Sequence, residues 1–152
     1  MQWFTEEYDE NHFRGNVLLC CDVNSNDHKT ILTKQFPECN FYTTDFREGS
    51  DITADICSDD WVEKVKSYPV KFDFVISVAT LEHVVDPIKM MRNIFSIVDK
   101  AIFHTVSVHR YHAEPVDCYR FMEDWPAMVV KYLGLKIKRM DLHDHFYVFF
   151  QK

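Results

Sequence analysis

Apolar residues along the chain gather in short unbroken runs, separated by polar segments rich in capping and turn residues. Residues 16–21 (NVLLCC) are largely apolar and do not alternate with polar residues, the pattern of a strand covered on both faces, as in a parallel sheet. Asn26 or Asp27 then caps a helix carrying Ile31, Leu32 and Phe36, which Pro37 stops. Residues 39–44 read as a second strand ending at Asp45, Arg47-Glu48-Gly49-Ser50 as a turn, and 51–56 as a short third strand. Ser58 or Asp59 caps a helix to about Ser67, and Phe72 to Val78 forms another buried strand. Asp86-Pro87 opens the next helix with a capping side chain followed by proline at the first helical position. Ile88, Met91, Phe95 and Val98 share one face of that helix. A fifth strand spans 101–108, and a helix near 124–133 is closed by Gly134. Strands at about 135–140 and 145–151 are close enough in sequence to pair antiparallel. Residues 1–15 are polar with scattered aromatics and read as an N-terminal extension, a short helix or a lid.

Strands alternating with helices predict an α/β fold: a mostly parallel sheet with right-handed crossovers, helices on both faces and an antiparallel strand at the C-terminal edge. In such sheets ligands bind beyond the carboxyl ends of the strands, near the switch point in strand order. The residues to inspect are therefore Asp22 to Asn24, Asp45, Asp55 and Ile56, Ser77 to His83, and the loop after residue 108.

Composition narrows the partners. A length of 152 residues fits one domain over 1–152, and 47% hydrophobic content supplies its core. A net charge of −7 argues against a nucleic-acid backbone or an anionic membrane as partner. Lys136, Lys138 and Arg139 make the densest basic cluster, and their spacing suits the solvated face of a strand. No apolar run reaches the roughly 20 residues that span a bilayer. The acidic start MQWFTEEYDE does not resemble a secretory signal, so a cytoplasmic protein is expected. Five cysteines (Cys20, Cys21, Cys39, Cys57, Cys118) without CxxC spacing read as reduced thiols, mostly small core residues.

The candidate chemistry lies after the strands. Asp45 stands where open α/β folds accept hydrogen bonds from a ribose diol; the plainer alternative is a surface loop aspartate. Asp55 can accept from an exocyclic amine while Ile56 covers an adenine face, or Asp55 simply caps the following helix. His83, after the fourth strand, suits a general base or a substrate-positioning group, or a helix-start histidine bonded to a carbonyl. The stretch His112 to Phe121 is the densest polar cluster. There His112, Asp117 and Arg120 can bind an anionic or hydroxylated substrate, or Asp117 and Arg120 can pair to brace the loop. His143 and His145 lie two apart on a strand without a third ligand at matching spacing, so no metal site is expected.

The order Asp45, Asp55-Ile56, FDFVISVATLEHVVDP and HAEPVDCYRF resembles the class I S-adenosylmethionine-dependent methyltransferases of small-molecule type, over roughly residues 16–150. The most specific part is Phe72 to Pro87: an Asp after the opening Phe, an apolar strand, Leu-Glu-His, then Asp-Pro. HAEPVDCYRF is similar to a His-x-x-Pro-x-Asp-x-x-Arg-Phe signature of one subgroup. The resemblance implies a Rossmann-like seven-stranded sheet with S-adenosylmethionine as cofactor and S-adenosylhomocysteine as product. It places Asp45 on the ribose, Asp55 and Ile56 on the adenine, and Ser77 and Val78 on the cofactor floor. His83, His112, Asp117 and Arg120 would face the acceptor, with His83 or His112 as the base.

Two departures stand out. The family's first loop reads acidic-x-Gly-x-Gly-x-Gly, whereas the matching positions here hold Leu19, Cys21, Val23 and Ser25. Cys21 and Val23 would crowd the backbone approach to a cofactor, and Asp22 is the acidic residue near enough to meet a methionine ammonium. The Gly-Gly turn before the fifth strand is replaced by Val98-Asp99-Lys100. Two readings follow. One is an active methyltransferase on a small-molecule or glycan-linked acceptor. The other is a catalytically silent domain of the same fold, a binding or scaffolding module. With no substrate-recognition insertion evident, a second copy or a partner chain would have room to complete the site.

Overall fold

The computed structural model describes residues 14–20, 26–106, 116–142 and 145–152. Seven strands form one sheet: β1 (Gly15–Cys20), β2 (Cys39–Asp45), β3 (Ile52–Thr53), β4 (Phe74–Val78), β5 (Lys100–Val106), β6 (Lys136–Leu142) and β7 (His145–Gln151). Their order is β3-β2-β1-β4-β5-β7-β6. The first five strands run parallel, and β7 is antiparallel to both neighbours. The expected antiparallel strand therefore sits one place in from the edge. The edge is β6, where Lys136 and Lys138 are exposed and a bulge falls between Ile137 and Arg139.

The apolar runs become the central strands because both sheet faces are covered. Among the described residues there are four helices: α1 (Asn26–Gln35), α2 (Asp59–Ser67), α3 (Pro87–Ile97) and α4 (Trp125–Leu133). Trp61 and Val65 of α2, Met90, Met91 and Ile94 of α3 and Val129 of α4 pack with Leu18, Cys20, Val75 and Phe103 on one face. Leu32 of α1 and Phe36 pack with Val17, Leu19, Phe74 and Ile76 on the other. Ile31 of α1 is 37% exposed, while Leu32 and Phe36 are buried. Local signals place the helix ends. Ser58 caps α2 by accepting from the Trp61 amide, Asp86 caps α3 by accepting from the Lys89 amide, and Gly134 closes α4 in the left-handed conformation.

Two strands differ from expectation. β4 begins at Phe74, because Asp73 turns its carboxylate to the Asn16 amide (2.8 Å). A Cβ on Gly15 (φ +98°) would lie 2.1 Å from that carboxylate, so this turn requires glycine. The third strand, expected over 51–56, shrinks to Ile52–Thr53. The reason is the connection from β2. Parallel neighbours normally need a crossover of a dozen or more residues, but only residues 46–51 separate Asp45 from Ile52. Even fully stretched, the steps from Asp45 to Ile52 reach about 25 Å, hardly more than the roughly 20 Å length of β2, which leaves no slack for a crossover back to the start of β2. The chain instead rejoins beside β2's last two residues, Thr44 and Asp45. Asp51 pins it there, accepting from the Thr43 amide (2.7 Å), the Thr43 hydroxyl (3.0 Å) and the Lys29 ammonium (3.1 Å).

Candidate functional site

A cavity of about 470 Å³ opens at the carboxyl ends of β2, β3 and β4, beside the point where strand order reverses. Three segments line it: 44–47 after β2, 54–57 after β3, and Ala79, Thr80 and 83–85 after β4. Asp45, Asp55, Ile56 and His83, four of the residues singled out in the sequence, all line it.

Asp45 has a wholly buried side chain, and Arg47 covers it. The guanidinium donates from Nε to Oδ1 (2.9 Å) and from Nη2 to Oδ2 (2.8 Å), and the Arg47 amide adds a bond to Oδ1 (2.9 Å). This is the two-pronged geometry in which arginine binds carboxylate best. Arg47 gave no signal in the sequence beyond a place in a turn. The aromatic ring of Phe46 stands 60% exposed beside it, at the cavity wall.

Asp55 forms a local turn: its carboxylate accepts from the Cys57 amide (2.9 Å) and its carbonyl from Ser58. Ile56 is buried, and Asn93 of α3 donates to its carbonyl at 2.8 Å. The segment is thus tied to α3 and holds a carboxylate and an apolar side chain at the cavity together. Cys57 also lines it; burial, with the Asp55 and Asp86 charges, raises its thiol above the ordinary value, so it stays protonated at neutral pH and is a poor nucleophile.

After β4 the cavity meets Ala79 and Thr80; Ser77 and Val78, expected on the cofactor floor, are not among its lining residues. Ser77 is fully buried, and its hydroxyl has no hydrogen-bond partner among the described residues. Ala79 adopts φ +46°, a conformation costly for any residue with a Cβ. The kink turns the chain out of the sheet, and Thr80 anchors it by donating to the Val78 carbonyl (3.0 Å) and the Cys20 carbonyl (3.3 Å).

The kink delivers His83 to the cavity. Its Nδ1 bonds the Val116 carbonyl, and its amide bonds the Thr80 carbonyl. The neighbouring Glu82 is fully buried; its carboxylate accepts from the Thr105 hydroxyl (2.9 Å) and its carbonyl from the Cys118 and Tyr119 amides. The Tyr119 hydroxyl reaches the Val85 carbonyl at 2.7 Å. Asp117 and Arg120 form a two-pronged ion pair with the Asp117 side chain almost wholly buried. Neither lines the cavity. The segment 116–120 is therefore clamped to 82–85, and the aspartate–arginine pair braces it.

Cys21, Asp22 and His112 lie outside the described residues, as do His143, Asp144 and the extension 1–13. Among the described residues no cluster of three histidine, cysteine or acidic side chains could hold a metal, and no helix is long and apolar enough to cross a membrane. Of the described cysteines, Cys20 and Cys39 are buried as expected, Cys57 is half-buried and Cys118 is exposed.

The strand order, the antiparallel β7 and the four helices make this the class I methyltransferase fold, an α/β Rossmann-like architecture. Solved structures share it across nearly the whole chain. The N-terminal domain of EvdMO1, with SAH bound, superposes with a TM-score of 0.68 at 14% identity, covering 99% of this chain and 78% of that one. A SAM-dependent methyltransferase from Aquifex aeolicus gives 0.63 at 12% identity, covering 98% and 95%. A putative type 11 methyltransferase from Sulfolobus solfataricus gives 0.59 at 17% identity, covering 97% and 90%. No protein-family profile matches the sequence, and no curated protein matches it.

Proposed function

We propose that this chain binds S-adenosylmethionine in the cavity beyond β2, β3 and β4 and transfers its methyl group to a small-molecule or glycan-linked acceptor. The observation that carries this is the convergence of Asp45, Asp55, Ile56 and His83 on one cavity at the switch end of a class I methyltransferase sheet. Its volume lies within the roughly 300–1,000 Å³ of small-ligand sites. Asp45 would accept from the ribose hydroxyls, Asp55 from the adenine amine, and Ile56 would cover the ring. A bound sulfonium supplies a methyl group that is already activated, so the chain contributes mainly alignment. A hydroxyl acceptor must also lose a proton, and His83 is the base at the cavity. Its brace on Val116 presents the ring in one orientation. Asp117 and Arg120 would act indirectly, by holding that brace.

A catalytically silent binding or scaffolding module of the same fold is the second reading, favoured by the Arg47 grip on Asp45, which takes up the carboxylate a ribose would use. Titration calorimetry with S-adenosylhomocysteine tests the cofactor-binding step. Saturable binding is expected, with Asp45→Asn weakening it roughly tenfold or more, the worth of hydrogen bonds to a charged acceptor. No heat and no thermal stabilisation at millimolar ligand would sink the proposal. Binding without turnover on any acceptor would leave the silent module.

A further inference from the structure

Arg47 sits in the loop that replaces a full crossover between β2 and β3. Asp51 pins the far end of that loop to Thr43, so the backbone at Arg47 is held close to the end of β2. The guanidinium turns back onto Asp45 and takes both carboxylate oxygens with two parallel donors. A cis-diol would approach the same carboxylate in the same way, with two adjacent O–H donors meeting two oxygens. The Asp45 side chain is wholly buried while that of Arg47 is 35% exposed, and both residues line the cavity. The carboxylate therefore has no solvent-facing side on which a second fork of donors could settle.

We propose that Arg47 sets the affinity and selectivity of this site by competing with the ribose diol for Asp45. A nucleoside with both hydroxyls displaces the guanidinium fork; one without them cannot. The Arg47 amide keeps its bond to Oδ1 throughout, so the carboxylate released by the guanidinium remains tied to the loop backbone while it meets the diol. The exchange needs only side-chain rotation, since the loop backbone is fixed from both ends. A competing internal arginine lowers the gain from every diol ligand and leaves ligands lacking the diol unaffected, so it reduces both the affinity for diol ligands and the margin by which they are preferred.

The inference rests on the nucleoside-binding reading above, and the experiment separates the two. Calorimetry is run with S-adenosylhomocysteine, adenosine and 2′,3′-dideoxyadenosine on wild type, Arg47→Gln and Arg47→Lys. Arg47→Gln is expected to tighten the first two ligands roughly tenfold and to leave the dideoxy ligand unchanged. Arg47→Lys, a single ammonium in place of a fork, should fall between. It also guards against misfolding, because Arg47→Gln leaves a buried carboxylate short of its cation. Weaker binding of S-adenosylhomocysteine in both variants overturns the proposal and makes Arg47 a ligand contact. Unchanged binding, or equal tightening of the dideoxy ligand, also overturns it. Binding by wild type with no Arg47 effect leaves the methyltransferase reading intact. Binding only by the variants supports the competition and removes the active-enzyme reading. No binding by any protein ends both.

Discussion

Under the proposed function, the role of His83 as base depends on which of its ring nitrogens carries the hydrogen. A backbone carbonyl only accepts, so the Nδ1 bonded to Val116 carries the hydrogen, and the neutral ring keeps its lone pair on Nε2. That is the arrangement a base needs, with one nitrogen committed to orientation and the other to the proton. Nitrogen-15 spectra of the neutral imidazole should show the Nδ1–H tautomer. An Nε2–H tautomer would remove His83 as the base. In the His83→Asn variant the side-chain amide can still donate to Val116 but offers nothing in place of Nε2. The variant should therefore keep S-adenosylhomocysteine affinity while any methyl transfer to hydroxyls falls about 10²–10⁴-fold. His83 was legible in the sequence as a histidine after a strand, and so was a carbonyl as its partner. That the carbonyl belongs to residue 116 was not, since it needs a contact across 33 positions. Ala79 was equally silent: sequence rules assign left-handed backbone to glycine or asparagine, not alanine.

Among the elements, the β2–β3 connection decides most. Burial alone would raise the Asp51 carboxyl, but the Thr43 amide, Lys29 ammonium and Thr43 hydroxyl outweigh it and hold the group below its ordinary value. A carboxyl lowered in the folded state binds its proton more weakly there than in the unfolded chain. It therefore contributes stability above the ordinary carboxylate range, and loses it as pH falls through the folded value. Urea unfolding should show Asp51→Asn less stable than wild type at pH 7, by about 1 kcal/mol or less for a partly exposed network. The gap should close below about pH 4. Curves that stay parallel to acid pH would mean that Asp51 does not pin the loop through its charge. Helix ends were readable because capping is local: Ser58, Asp86-Pro87 and Gly134 each act within a few residues of themselves. β3 was overestimated because its length depends on the reach of the loop before it, not on its own residues. Arg47 and Asp45 are two apart, but Arg47 lies in the turn after β2 ends, where no strand or helix period marks the two as a pair.

Across the whole molecule, the apolar runs announce buried strands but not their neighbours. Placing β1 beside both β2 and β4, and β7 between β5 and β6, is a matter of non-local pairing. The same topology separates what stabilises the sheet from what lines the cavity. Phe150 of β7 is fully buried, edge-on to Phe103 (5.9 Å) and Trp125 (6.4 Å), and does not line the cavity. Phe150→Ala should cost about 3–5 kcal/mol of unfolding free energy by chemical denaturation, from lost burial plus the void left behind. The folded fraction should bind S-adenosylhomocysteine with unchanged Kd. Because the ligand binds only folded protein, a hundredfold excess over Kd should return roughly 2.7 kcal/mol to both wild type and variant. A changed Kd would show that packing around β7 is transmitted to the segments after β2, β3 and β4. The cavity would then depend on the whole sheet rather than on the three segments that line it.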